Sequence, residues 1–503
     1  MTQVIAFIFL LLFTALMIFI GVHASRKSKT MNEFLLGGRN IGPWISAFAY
    51  GTSYFSAVIF IGYAGRTGWT VGIGGIWIGI GNAVLGCLLA WLLLARRTRR
   101  MTHNLDASTM PEYFEKRYFS PGMKVYAALI IFIFLVPYCA TVYKGLGYLF
   151  SQIFPIFGAN SDVVCMFIIA LLTAVYLVLG GYVATVMTDF IQGLIMLGGV
   201  VVMVVVIAAN PVVGGFREGF HRLSEIDPSL VNIFGGKQWS FLLMNVLLTS
   251  FGTMGLPQMV HKYYAISDEK QIPKAAIVST GFALVIGVGA YVAGTFGRLY
   301  LNNTLPAGNN YDAVVPQMLI AALSGNVWTN IVLSIILLLV LSASMSTLSS
   351  IVLTSSSAIA VDLMPVVKPN YDKTKQMLLM RGLCLLFVAA SFIFASFKIA
   401  FIMQLMSFSW GVVAGCFIGP YFWGLYSKKI TRAGVWCGLL SGLVVVGGAT
   451  LFVTITDSFA AASNLSQNFG VCAMIVSFVI TPVVSLFTKK YDTAELHTAF
   501  KGI

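Results

Sequence analysis

The 503-residue chain is 58% hydrophobic and 10% charged, with a formal net charge of +14. Soluble domains carry about 25% charged residues, so the composition excludes a large water-facing domain and leaves one helical membrane unit with no room for a separate catalytic module. The seven cysteines stand singly in apolar runs, and the five histidines sit in loops or at span ends. That pattern supports neither a disulfide framework nor a zinc site, nor the nucleophile–base pair of an intramembrane enzyme.

Apolar runs of about 20 residues mark membrane-spanning helices. Thirteen are predicted, at 3–23, 41–65, 70–95, 122–149, 161–180, 182–209, 239–262, 275–300, 331–362, 380–400, 402–426, 433–455 and 467–488. The first run is preceded by Met1-Thr-Gln and followed by Arg26, Lys27 and Lys29. A secretory signal carries its positive charge on the other side, so this run reads as a retained helix with its N-terminus outside. With that orientation all but seven of the 31 Lys and Arg residues fall on the cytoplasmic side, Lys262 to Lys274 among them. The seven are Arg66, Lys144, Arg217, Arg222, Lys237, Arg298 and Lys398. The asymmetry predicts N-outside and C-inside. It also accounts for the positive charge as solvated loop ends, with no nucleic-acid partner.

Span two is interrupted at Gly51, within Ala47-Phe-Ala-Tyr-Gly-Thr-Ser-Tyr-Phe-Ser56. Span seven is interrupted at Gly252 and Pro257. Glycine weakens a helix and proline removes a backbone donor. Opened backbone survives at membrane depth only where it is buried or lines a polar cavity. Glycine in such positions also permits close helix packing. Spans two and seven begin two successive groups of five, and matched breaks of this kind mark inverted-repeat transporters with a midplane site. The chain then divides into 1–40 (extra N-terminal helix and cytoplasmic loop), 41–238 and 239–426 (two inverted five-helix repeats), and 427–503 (two C-terminal helices and a cytoplasmic tail).

Span four carries Lys144 near its outer end, where it either snorkels to the interface or attracts an anionic solute. Span six carries Asp189, about 10 Å in from its start at helical rise. An intramembrane acid is a functional candidate, or else pairs with a nearby Lys or Arg. Span nine ends in Leu341-Ser-Ala-Ser-Met-Ser-Thr-Leu-Ser-Ser-Ile-Val-Leu-Thr-Ser-Ser-Ser357, ten of whose seventeen residues are Ser or Thr. Ala343, Ser346, Thr347 and Ser350 follow i, i+3, i+4, i+7 and share a helix face, with Ser349 on its flank. Membrane Ser and Thr commonly bond the carbonyl one turn back. A stripe this dense also suits a hard cation, which takes oxygen ligands, helped by carbonyls freed between Gly51 and Phe55.

Phe34-Leu-Leu-Gly-Gly-Arg-Asn40, Pro111-Glu-Tyr-Phe-Glu-Lys-Arg117, Gly180-Gly-Tyr with Thr188-Asp-Phe-Ile-Gln-Gly193, Gly255-Leu-Pro-Gln258 and Met345-Ser-Thr-Leu-Ser349 together resemble the sodium:solute symporter family. The resemblance runs over roughly residues 30 to 490, the span of the whole repeat unit. It implies an all-α polytopic, leucine-transporter-like fold of about thirteen helices, five plus five inverted, in the cell membrane and working as a monomer. It implies Na⁺ held by the carbonyls of Thr52, Phe55 and Ala343 and the hydroxyls of Ser346 and Thr347. A second Na⁺ in some members matches Asp189, Ser346, Ser349 and Ser350. Tyr54 stands where proline carriers have an Asp, and Tyr138 where sialic-acid carriers have an Arg. Candidate solute contacts, read from the opened stretches and the polar or aromatic midspan residues, are Tyr54, Ser56, Trp77, Tyr138, Asn245, Thr253 and Trp410. The expected function is sodium-coupled import of a small organic solute, an amino acid or other carboxylate. The alternatives are a sodium-coupled sugar or vitamin carrier, a proton-coupled or ion-independent transporter of the same fold, and an ion channel.

Overall fold

The computed structural model describes residues 2–25, 31–323, 325–369, 372–397, 399–491 and 494–503. The basic residues expected at 26–30, and Lys398, lie outside the described residues. Regular structure is helical throughout, and β-pairing among the described residues is confined to an isolated bridge between Ile41 and Ile266. By length and apolarity the described residues hold ten helices able to cross a membrane, or eleven when the bent pair Gly236–Gly255 and Pro257–Ala265 is taken as one span.

The helices that bear on the site are numbered α1 (Thr2–Ser25), α2 (Pro43–Tyr54), α3 (Ala64–Val71), α4 (Pro121–Ile153), α5 (Ser161–Ala209), α6 (Trp239–Gly252), α7 (Pro257–Ala265), α8 (Ile272–Thr295), α9 (Val327–Ser357), α10 (Ile402–Tyr426), α11 (Arg432–Gly442) and α12 (Ser466–Phe487). Two expected boundaries are absorbed into longer helical runs. Residues 58–104 form one run of 47 residues, turned at Gly72. There φ is +59° and an added Cβ would lie 2.0 Å from the Leu230 carbonyl oxygen, so conformation and space both demand glycine. Residues 161–209 are helical from end to end as α5, 49 residues or about 74 Å at 1.5 Å rise. Glycine inside a helix costs only about 1 kcal/mol. The demand for backbone hydrogen bonds in an apolar medium outweighs that, so the pair at 180–181 keeps a helical backbone.

The two expected interruptions are real breaks in helical geometry. Pro43 opens α2 at a position where its missing N–H is not needed. The helix stops at Tyr54 because Phe55 turns extended, with φ −108° and ψ 127°. The chain resumes with a π-type turn at Val58–Tyr63 and continues into α3. In the second case α6 runs on through a 3₁₀ turn at Thr253–Gly255. Leu256 is extended and Pro257 restarts the chain as α7, bent by 46°.

α9 and α10 are the most deeply enclosed of the spans. α9 packs against α5, α4 and α2, and α10 against α12, α11 and α4. Close approaches rest on small residues, the membrane substitute for large apolar burial. A Cβ on Gly68 would lie 2.1 Å from the Gly294 carbonyl oxygen, and one on Gly79 would lie 2.6 Å from the Gly287 carbonyl carbon, joining α8 to the first repeat.

Candidate ion and solute site

A helix leaves its last four carbonyls without intrahelical partners. At the broken end of α2 those carbonyls face α9. Thr347 Oγ1 lies 3.3 Å from the carbonyl oxygens of Thr52, Ser53 and Phe55, and 3.1 Å from that of Ala343. Ser346 Oγ lies 2.8 Å from the Thr52 carbonyl and 3.1 Å from that of Ala343. All are fully buried. The Ala343 carbonyl already accepts the Thr347 amide of its own helix. Each hydroxyl has one proton to donate, so two protons face the three carbonyls freed at the break as well. The cluster lies at the negative end of the α2 dipole. An excess of neutral oxygen over protons, with no room for bulk water, is chemistry that a hard cation satisfies.

All five oxygen atoms expected for the first ion site therefore meet at one place. Two further groups stand beside them, the first within the stretch between Gly51 and Phe55 whose carbonyls were expected to help and the second not foreseen. The Ser53 carbonyl joins the cluster, and Ser344 Oγ accepts from the Ala57 amide at 2.9 Å while donating to the Val340 carbonyl at 2.7 Å. Ser344 pins the opened chain just beyond Phe55. Its position in the Ser-rich run was the available signal, but its face of the helix differs from that of Ser346. The hydroxyl of Thr52 itself turns back to the Phe48 carbonyl at 2.8 Å.

The second expected set divides. Ser346 belongs to the cluster above, and Ser349 bonds back to the Ser346 carbonyl at 2.9 Å. Ser350 instead meets Ser53, Oγ to Oγ at 2.7 Å, and accepts from Lys262 Nζ at 3.0 Å. Lys262 Nζ lies 3.7 Å from Asp189 Oδ2. The sequence reading placed Lys262 in a cytoplasmic basic segment. The structure corrects the expected solvation, leaving Lys262 2% exposed on α7, past the α6–α7 break, where it meets Ser350 of α9 and Asp189 of α5.

Next to the ion cluster is a narrow cavity of about 20 Å³. Of the candidate solute contacts, Tyr54, Ser56, Tyr138 and Trp410 line it, together with Phe55, Asn82, Thr249, Tyr63, Tyr291 and Met406. Trp410 stacks on Tyr54 with centroids 6.2 Å apart and takes Tyr138 edge-on at 5.6 Å. Tyr54 donates to the Thr249 carbonyl at 2.7 Å, and Asn82 Oδ1 accepts from Thr249 at 2.8 Å and Ser250 at 3.2 Å. Among the described residues, none that lines this cavity carries a charge.

The remaining candidates lie elsewhere. Asn245 is buried on α6 and bonds back to the Phe241 carbonyl. Thr253 bridges the Gly86 and Ser250 carbonyls. Trp77 is 37% exposed and stacks on Phe234, 6.1 Å away. Lys144 is buried and donates to the Ala400 carbonyl beside a separate cavity with Tyr148, Gln404 and Asn464. Asn82 was missed, although a lone amide in Ile76-Trp-Ile-Gly-Ile-Gly-Asn82 is the kind of intramembrane polar group that marks a site.

The profile of the sodium:solute symporter family matches residues 34–442, well over half of the chain. The chain belongs to the sodium:solute symporter family. It is similar to the osmoregulated proline transporter OpuE of Bacillus subtilis, 27% identical over 478 residues that cover 94% of this chain and 93% of the relative. The sodium/proline symporter of Staphylococcus aureus is 28% identical over 504 residues, covering 96% and 93%. Among solved structures, a Na⁺-coupled sialic acid symporter in a substrate-bound outward-open state matches with a TM-score of 0.78 and 19% identity, covering 97% of this chain and 99% of that one. At that identity the likeness shows the fold. This sodium:solute symporter is a multi-pass plasma-membrane transporter and not an enzyme, and it couples sodium to the movement of a small organic solute.

Proposed function

We propose that this symporter imports a small amino acid or other small carboxylate, with one sodium ion bound by the carbonyls of Thr52, Phe55 and Ala343 and the hydroxyls of Ser346 and Thr347. The observation that carries the reading is the convergence of those oxygens with a shortfall of protons. The solute binds between Tyr54, Ser56, Tyr138 and Trp410, where the narrow cavity must widen to admit it. Proline is the first solute to test, because relatives covered over more than nine-tenths of their length are named for it. Tyr54 stands at the place where proline carriers have an Asp, and it stacks on Trp410 at the cavity wall.

Coupling follows from the shared stretch of chain. The carbonyls of Thr52 and Phe55 face the ion, while the side chains of Tyr54, Phe55 and Ser56 line the cavity. An ion that holds this backbone in place lowers the ordering cost of solute binding, and solute raises sodium affinity by the same factor. The ion also ties α2 to α9, so its occupancy biases how one bundle rocks against the other.

The wider architecture of this reading is leucine-transporter-like, with inverted repeats at 41–238 and 239–426, the N-terminus outside and the C-terminus inside, acting as a monomer. The reading keeps about thirteen crossings, against ten or eleven candidate spans among the described residues. The test is uptake of radiolabelled proline into proteoliposomes under an inward sodium gradient, with choline replacing sodium in the control. A thermal-shift panel of small amino acids, carboxylates and sugars, each with and without sodium, accompanies it. Sodium-dependent, saturable uptake of an amino acid or carboxylate supports the reading. Stabilisation by a sugar alone, or uptake unchanged in choline, overturns it.

A further inference from the structure

Beyond the first ion cluster, a second polar pocket lies between α2, α5, α7 and α9. Its oxygens are the Asp189 carboxylate, Ser53 Oγ and Ser350 Oγ, all fully or nearly fully buried. A buried carboxylate flanked by two hydroxyls is a cation site by its donor set. Here a cation is already supplied by the chain. Lys262 Nζ is 3.0 Å from Ser350 Oγ and 3.7 Å from Asp189 Oδ2, and it lies 5.2 Å from the centroid of the Tyr182 ring. Ser350 is in turn joined to Ser53 at 2.7 Å. Among the described residues, neither Asp189 carboxylate oxygen has a hydrogen-bond partner, which leaves the ammonium as its nearest compensation.

We infer that the Lys262 ammonium is a tethered cation that permanently fills this second pocket, so the protein binds one sodium ion where its oxygen set would otherwise hold two. The pocket offers a single negative charge. A sodium ion bound to Asp189 and Ser350 would stand within about 4 Å of the ammonium, and two like charges that close in a desolvated interior repel strongly. Lys262 is rooted on α7 just past the break at Leu256, while Ser350 is on α9 and Asp189 on α5. The tether therefore bridges the three helices in every cycle, without the ion gradient deciding whether the bridge forms. Lys262 is a positioning residue under this inference, distinct from the ligands of the transported ion.

The inference rests on the sodium reading of the Ser346–Thr347 cluster, and the experiment separates the two. Equilibrium binding of radiolabelled sodium to the purified full-length protein, without solute, counts sites per chain. One site in the wild type is expected. Lys262→Met keeps the stem and removes the charge, and its count should rise to two. Lys262→Arg keeps a cation and should stay at one. In Lys262→Met combined with Ser346→Ala and Thr347→Ala, one site should survive, which assigns it to the Asp189 pocket. Two sites in the wild type overturn the inference and leave the sodium reading standing. A count of one in monodisperse Lys262→Met also overturns it. No sodium bound to the wild type overturns the sodium reading itself. If Lys262→Met does not fold, Asp189→Asn decides: an unchanged count of one supports the tethered cation, and a fall from two to one refutes it.

Discussion

Replacing both Ser346 and Thr347 by Ala removes the two side-chain oxygens of the ion cluster and leaves its carbonyls in place. Both side chains are fully buried. Hydrogen bonds to charged groups contribute about 1.5–3 kcal/mol, and ion–oxygen contacts at a buried site are taken as of the same order. With about 1.4 kcal/mol per factor of ten, each single substitution should raise the half-saturating sodium concentration by roughly 10- to 100-fold. The two residues are adjacent and share partners, so their effects will not add fully. The double variant should still shift it by about 100-fold or more. The same substitutions strip donors from the carbonyls of Thr52, Ser53 and Phe55, at about 1–3 kcal/mol per buried unsatisfied group. Thermal stability must therefore be measured alongside. Thr347→Ser restores the oxygen and should return the sodium requirement to within about threefold of wild type. The assay is initial-rate uptake into proteoliposomes across a sodium titration at fixed ionic strength. A folded double variant with wild-type sodium dependence would refute the assignment of the ion to this cluster.

Three further outcomes follow from the geometry. Tyr54→Phe removes a hydroxyl that donates to the Thr249 carbonyl at the cavity wall; solute half-saturation should rise by about 3- to 10-fold, while sodium binding without solute stays nearly unchanged, as separate titrations will tell. Trp410→Leu should weaken solute binding at least as much, because Trp410 forms one face of the cavity, whereas Trp77→Leu, half-exposed and stacked on Phe234, should leave solute half-saturation unaffected. Gly294→Ala would drive a Cβ to 2.3 Å from the Ala64 carbonyl oxygen, so the melting temperature in detergent should fall by an amount matching about 1–3 kcal/mol; Gly281→Ala on the same helix has open space around it and should be neutral or mildly stabilising.

Much of the first ion site was legible in the chain before folding. Side chains three and four apart on a helix must share a face, so Ala343, Ser346 and Thr347 were bound to point together wherever that helix lay. Likewise the break after Gly51 was visible as weak helix formers within an apolar run, and unpaired carbonyls follow from any such break. What could not be read was the partner of Asp189. Lys262 sits in Met259-Val-His-Lys-Tyr-Tyr264, close to the charged stretch that follows, and charge counting assigns such a residue to solvent. Only the fold past the bend between α6 and α7 brings it to Asp189. Trp77 was misleading for the opposite reason, since an aromatic in mid-span carries no local mark of whether it faces the bundle or its outside.

By itself, then, the amino-acid order determined the membrane setting, the helical class, the two breaks and the hydroxyl stripe. Each of these depends on local periodicity or on the price of an unsatisfied backbone group in hydrocarbon. The tertiary structure decided which stripe meets which break, that Ser53 and Ser344 join in, and that an ammonium rather than open space faces Asp189. Those are matters of how several helices are held at fixed distances by small-residue contacts, and no local signal in one helix records the position of another.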